Sequence, residues 1–471
     1  MSSRKTPRLL SRRAGDSWRY SRGWRFHTAD LVIRGGTVVT PRGVERSDIA
    51  VSGNLMEAVA PELPGAKNEI DARGLTILPA VVDVHVHFNE PGRTEWEGAF
   101  SGSRALAAGG GAVFFDMPLN SSPCTVDGAS FDEKRAALSQ SSVADFGLWG
   151  GIVPGNRESL PELAERGVIG FKAFLCDSGL PEFPRATNYT LYEGMRVAAR
   201  YNLPVAVHAE YNSVVGSLAR RAVAEGRTSV RDYLESRPVL AEVEAIGRAG
   251  LLAREANCKL HLVHASCGSA VRAALEARAM GTDISIETCP HYLFFTGEDM
   301  ERMGAVLKCA PPLRSAAERD NLWELVAEGD VDVIASDHSP APAARKHASS
   351  FFDVWGGIAG VQSTLSVLLD SNRALPLARI AQLTATTPAA RFGLARKGRI
   401  EAGCDADLVL IDLNTSYELT VRSLLQRHPL SPYLGKRFRG VVRRTIRGGE
   451  TIYADGAATA SCTGKWIGNR T

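Results

Sequence analysis

A chain of 471 residues is too long for one small core and long enough for a barrel of about 250 residues with a second domain beside it. Apolar content of 44% and charged content of 23% are those of a soluble globular protein, and no segment offers the roughly 18 consecutive apolar residues of a membrane span. The net charge of +3 hides an asymmetry: residues 1–26 hold eight Lys or Arg against one acid, so the remainder is mildly acidic and offers no case for nucleic-acid binding.

Residues 1–26 are Arg- and Ser-rich, acid-poor and without the apolar stretch of a secretory signal. They read as a basic, disordered leader, with a transit peptide or an early start site as the other readings. Residues 27–77 then alternate as "DLVIRGGTVVTPRG", "DIAVSGNLMEAVA" and "NEIDARGLTILPA", short strands broken by Gly and Pro turns. From residue 78 to 397 the texture changes to apolar strands separated by helical stretches. Eight strands stand out: "AVVDVHVH", "GAVFFDMP", "ADFGLWGGIV", "GVIGFKAFL", "PVAVHAE", "KLHLVHAS", "DISIETCP" and "VDVIASDHSP". Helical stretches such as "FSGSRALAAG", "LAEVEAIGRAGLLAREAN" and "SAVRAALEARAMG" lie between them. Eight βα units predict a TIM (β/α)8 barrel. The β texture returns over 398–457 in "GRIEAGCDADLVLIDLN" and "VVRRTIRGGETIYADG", so a small β-sandwich domain is expected from both chain ends, followed by a tail at 458–471. No GxGxxG or Walker loop opens a helix. The eight Cys form no CxxC pair and read as free thiols of a reducing, cytoplasmic compartment.

Ionisable residues sit where the apolar strands finish. Strand 1 ends in His85 and His87, strand 4 carries Lys172, strand 5 ends at His208, strand 6 at His264 and strand 8 at Asp337. Barrel residues at C-terminal strand ends face the active-site mouth, and residues i and i+2 of a strand share a face, so His85 and His87 can hold one metal together. A lone His at a strand end is more often a bonded core residue than a ligand. Four His, a Lys and an Asp at the ends of five strands overturn that reading, and a Lys inside an apolar strand is rare unless paired. By strand parity His261 faces away from His264 and carries no assignment. His27, His347 and His428 lie outside strand ends, whereas His291 and His338 lie in loops at the mouth. Glu90, Arg93 and Glu95 order the loop after strand 1 through ion pairs or form a solvated cluster.

The set of His85, His87, Lys172, His208, His264 and Asp337 resembles the binuclear metal site of the amidohydrolase superfamily, in its cyclic-amidase branch, over about residues 30 to 455. Within the branch, "HFNEPGRTEWEG", "DMPLNSSP", "KCAPPLR", "SDHSP" and "VWGGIAGVQSTL" are similar to allantoinase stretches. The resemblance implies that His85, His87 and Asp337 hold one divalent ion, that His208 and His264 hold a second, and that Lys172, carbamylated by CO2, bridges them. Zn is the ion expected for this ligand chemistry, with Fe, Co and Mn also compatible. Two such ions lower the pKa of a bridging water toward 7 and polarise a carbonyl, with Asp337 as general base and then acid. The expected substrate is the small molecule allantoin and the expected assembly a homotetramer. Asn120, Ser339 and Asn89 are candidates to bind substrate, the first two through the ring and ureido groups, although Asn and Ser before Pro are also ordinary turn residues. Dihydroorotases resemble the chain at "HVHF" but carry an Arg for the substrate carboxylate where this chain has Asn89. Hydantoinases and dihydropyrimidinases share the metal set and form the alternative, with a metal-free scaffold on the same fold as a non-enzymatic reading.

Overall fold

The computed structural model describes residues 28–370, 373 and 375–469; the expectations for the leader, for His27 and for the last two tail residues lie outside them. The eight strands read from the sequence form one parallel sheet in sequential order: Val81–Val86, Gly111–Asp116, Asp145–Gly151, Gly170–Phe174, Val205–His208, Leu260–Leu262, Ile284–Thr288 and Val333–Ile334. Each is a short apolar run buried along its length, as a parallel sheet covered by helices requires. The seam closes just beyond strand 8. His338 makes a parallel bridge with Val86, and the His87 amide donates to the His338 carbonyl at 2.8 Å. The Phe392 ring lies edge-on to Phe115, Trp149 and His261 at 5.3–5.4 Å. Residues from strands 2, 3 and 6 can meet on one ring only inside the barrel, so its interior is a packed core.

Helices follow the strands where the sequence places them, among them Ala99–Ala108, Gly128–Ser141, Val239–Glu255 and Gly268–Ala279. Gly128–Ser141 starts at Asp127, whose carboxylate accepts from the Ser130 amide in a capping box. None of the described helices is long and apolar enough to cross a membrane.

Strands from both chain ends join in a separate nine-stranded sheet. Thr76–Pro79 runs parallel to Leu31–Thr40 on one side and antiparallel to Leu408–Glu418 on the other, which stitches the two segments together. This sheet has its own apolar core, including Ile33, Ile49, Met56, Ile77, Leu408 and Ile446. It is tied to the N-terminal face of the barrel by Lys397, whose ammonium contacts Asp145 (3.0 Å), at the start of strand 3, and Asp405 (3.2 Å) and Asp407 (2.7 Å) of the "GCDADL" stretch. The described part of the tail docks beside this joint: Phe146 donates to the Lys465 carbonyl and accepts from the Ile467 amide. All eight thiols are free, and seven are buried.

Candidate metal centre

His85, His87, Lys172, His208, His264 and Asp337 line one cavity of about 470 Å³ at the C-terminal ends of the strands. Asp337 Oδ1 lies 3.2 Å from His85 Nε2 and 3.3 Å from His87 Nε2. On the other side of the cluster His208 Nδ1 meets His264 Nε2 at 3.1 Å. Lys172 is fully buried, and its amine has no hydrogen-bond partner among the described residues. Burial pushes that amine down to about 8, so the neutral form is within reach near neutral pH.

These residues fit a pair of divalent cations. Burial lowers the pKa of His85, His208 and His264, which keeps the imidazoles neutral, the state in which they ligate metal. Burial raises the Asp337 carboxyl, but the neighbouring His85, His87 and His264 outweigh it and hold the group well below the usual carboxylate range. Among the described residues, three of the seven non-glycine residues with left-handed backbone line this cavity: Asn120 (φ 72°), His264 (41°) and Asp337 (45°). Asn and Asp tolerate this conformation, whereas at His264 it costs on the order of 1 kcal/mol or more.

The family model described as "Amidohydrolase family" matches residues 76–452. An allantoinase of Solibacter usitatus is 63% identical over 442 residues, covering 93% of this chain and 97% of that protein. An allantoinase of Rubrobacter xylanophilus is 53% identical over the same shares. The chain belongs to the amidohydrolase family and, within it, to the allantoinases. Among solved structures, an L-hydantoinase (dihydropyrimidinase) from Arthrobacter aurescens superposes with a TM-score of 0.90 at 30% identity, covering 94% of this chain and all of that one. A dihydropyrimidinase from Brevibacillus agri gives 0.86 at 28% identity, covering 93% and 98%. This amidohydrolase is therefore a metal-dependent hydrolase of a small molecule.

The loop after strand 1 answers to its own charges. Arg93 pairs with Glu182, donates to the Asn120 carbonyl at 3.1 Å and packs over Trp96. Glu90 accepts from the Ala99 amide (2.7 Å) at a helix start, and the Glu95 carbonyl accepts from His428. Asn120 and Ser339 both line the cavity and meet each other at 3.3 Å. Asn89 does not line it: its amide reaches the Pro340 carbonyl (3.4 Å) across the barrel seam.

Two loop histidines differ from the expected pattern. His338 does not face the mouth. It is fully buried, and its Nδ1 accepts from the Gly360 and Val361 amides. Its neighbour Asp337 takes the cavity side. His291, buried and pushed down to about 4 by desolvation, lies with Cys289 beside Asp337, their ligand atoms within 4.8 Å. His261 also departs from strand parity. Strand 6 ends at Leu262 and His264 turns left-handed, so both histidines face the barrel interior, His261 one layer down.

Sequence reasoning missed the carboxylates behind the candidate ligands. Glu287 Oε1 meets His85 Nδ1 at 2.8 Å, and Glu210 Oε2 meets His208 Nε2 at 2.9 Å. A Glu buried at an apolar strand end, as in "ISIET", was a signal of the same kind as Lys172. Cys176, His208 and Glu210 also cluster within 4.8 Å, but the Arg237 guanidinium on Glu210 already supplies the cation there.

Proposed function

We propose that this enzyme opens the hydantoin ring of allantoin by hydrolysis, giving allantoate. The observation that carries the reading is the convergence of the six strand-end residues on one cavity whose cations, other than Lys172 itself, are already committed or at the rim. Arg237 is paired with Glu210, and Lys308 spends its amine on the Phe351, Phe352 and Val354 carbonyls. Arg93, outside the lining, is held by Glu182. Arg220 remains, at the exposed rim. Once Lys172 is a carbamate, a ring bearing a carboxylate, such as dihydroorotate, finds no buried side-chain cation free to receive it, whereas neutral allantoin needs none.

His85, His87 and Asp337 would hold one divalent ion, His208 and His264 a second, and Lys172 as its carbamate would serve both; Zn suits this mixture of imidazole and carboxylate. Such ions supply a strong nucleophile from water at neutral pH and draw charge from a carbonyl. The neutral Lys172 amine adds to CO2 and loses a proton, which turns a group that would repel cations into an oxygen-donor anion. Asp337, ionised at neutral pH, accepts the proton of the attacking water and returns it to the departing ring nitrogen. Asn120 and Ser339 present an amide and a hydroxyl from the cavity wall to the ring and ureido groups.

A panel of allantoin, dihydroorotate, hydantoin and dihydrouracil on the purified protein tests the reading. Allantoin should be opened with kcat/KM at least about a hundredfold above dihydroorotate, equivalent to roughly 2.7 kcal/mol. Comparable rates on the two would refute the assignment. The hydantoinase alternative, favoured by the 0.90 superposition, requires hydantoin to outrun allantoin.

A further inference from the structure

The two histidines that lead each half of the cluster turn opposite nitrogens toward it. His85 presents Nε2 to Asp337 because its Nδ1 is held by Glu287. His208 presents Nδ1 to His264 because its Nε2 is held by Glu210. Both carboxylates are fully buried, where an unpartnered charge would be costly, so each contact is a fixed feature of its ring's surroundings. A carboxylate on the far nitrogen of a metal-binding imidazole sets its tautomer and orientation and raises its basicity.

The two carboxylates are backed differently. The second oxygen of Glu287 meets His261 Nε2 at 3.0 Å, and His261 Nδ1 in turn meets Ser285 Oγ at 2.8 Å, a chain that stays inside the barrel. Glu287 Oε1 also accepts from the His264 amide at 3.1 Å, where the backbone is left-handed. Glu210 instead ends on Arg237, a cation that lines the substrate cavity, and Arg237 is fixed by its carbonyl on Arg314.

We propose that Glu287 and Glu210 are positioning residues with separate charges: Glu287 fixes His85 for the ion it shares with His87 and Asp337, and Glu210, steered by Arg237, fixes His208 for the ion it shares with His264. This rests on the two-metal reading above. Neither residue touches substrate; each acts through the imidazole it holds.

Metal affinity separates this role from a general structural one. Glu287→Gln keeps an acceptor for the His264 amide while removing the charge on His85, and Glu210→Gln does the same for His208. Zinc content per chain is followed in the full-length protein under increasing chelator, with melting temperature as the check on folding. Each single variant should weaken one of two ions by about 10- to 100-fold and leave the other at wild-type affinity, and the double variant should weaken both. Because Glu210→Gln leaves Arg237 unpaired, the charge-balanced Glu210→Gln/Arg237→Met variant is measured beside it and should show the same selective loss. Two ions of unchanged affinity in both single variants, or a double variant that still holds one ion at wild-type affinity, would overturn the proposal. A wild-type chain that binds fewer than two ions would instead overturn the two-metal reading on which it stands.

Discussion

Two buried lysines mark opposite ends of the barrel. Lys397, at the N-terminal face, sits among Asp145, Asp405 and Asp407, and although burial opposes its charge, these carboxylates raise its pKa above the usual lysine value. Lys172, at the C-terminal face, is more deeply buried and has no hydrogen-bond partner among the described residues, and its pKa falls to about 8. The same side chain is a structural cation at one end and a latent nucleophile at the other. The neighbours decide which, because an ammonium in low dielectric persists only when carboxylates surround it. Stability and chemistry are thus segregated along the barrel axis, as they are in TIM barrels generally.

The largest expected effect breaks the C-terminal end. Lys172→Ala should cost roughly ten-thousand-fold in turnover and leave fewer than two metal ions per chain, while circular dichroism shows a folded barrel. Arg should serve no better than Ala, since it keeps the positive charge and cannot be carbamylated in the same way. Short-chain carboxylates should restore part of the activity of the Ala variant. Full metal content and near-normal turnover in Lys172→Arg would show that the bridge is misassigned. The mirror experiment is Lys397→Met, which removes the buried cation shared by three carboxylates at the joint between barrel and small domain. Unfolding free energy should drop by about 3–5 kcal/mol with turnover per folded chain unchanged, as read by denaturant titration beside an activity assay.

The pH response should carry opposite signs at the two ends. In the metal-free chain Lys172 binds its proton less readily when folded than when unfolded. The unfolded state therefore holds more protons between about pH 8 and 10.5, and stability rises through that window by up to about 3 kcal/mol. Lys397 has the raised value. Its contribution is complete below the unfolded lysine pKa and is lost as pH climbs above about 10.5. Comparing Lys172→Met and Lys397→Met with the parent across pH 7–11 isolates each slope, and slopes of the same sign would contradict the contrast. The smallest effect belongs to Asp405→Asn, which removes one of the three carboxylates but keeps an oxygen within reach of Asn54. A loss of about 1–2 kcal/mol in a urea titration is expected, and a loss as large as that of Lys397→Met would mean that Asp405 alone holds the joint.

The C-terminal face was the more legible of the two. Its cavity-lining residues announce themselves as ionisable residues at the ends of apolar runs, and the parity of His85 and His87 needs only the geometry of a strand. What stayed hidden depends on distant partners. Glu287 acquires meaning from His85, 202 residues away, and Asp145 from Lys397, 252 residues away. Parity also fails where a strand ends early, as at Leu262 before His264. The tail has no periodicity to read, and its role emerges only from the Phe146 backbone that it pairs with.

The seam between strands 1 and 8 joins the first barrel strand to be synthesised to the last. His85 and His87 emerge with the first barrel strand, but Asp337 lies beside the residue that closes the circle, where His338 bridges Val86. A nascent chain that has made only the first strand offers an ion two imidazoles on a mobile ribbon. The full set exists only after the last strand has docked against the first. With the ligand set proposed above, metal loading would follow closure of the barrel, and the ion held by His85, His87 and Asp337 would act as a clasp between its earliest-made and latest-made strands.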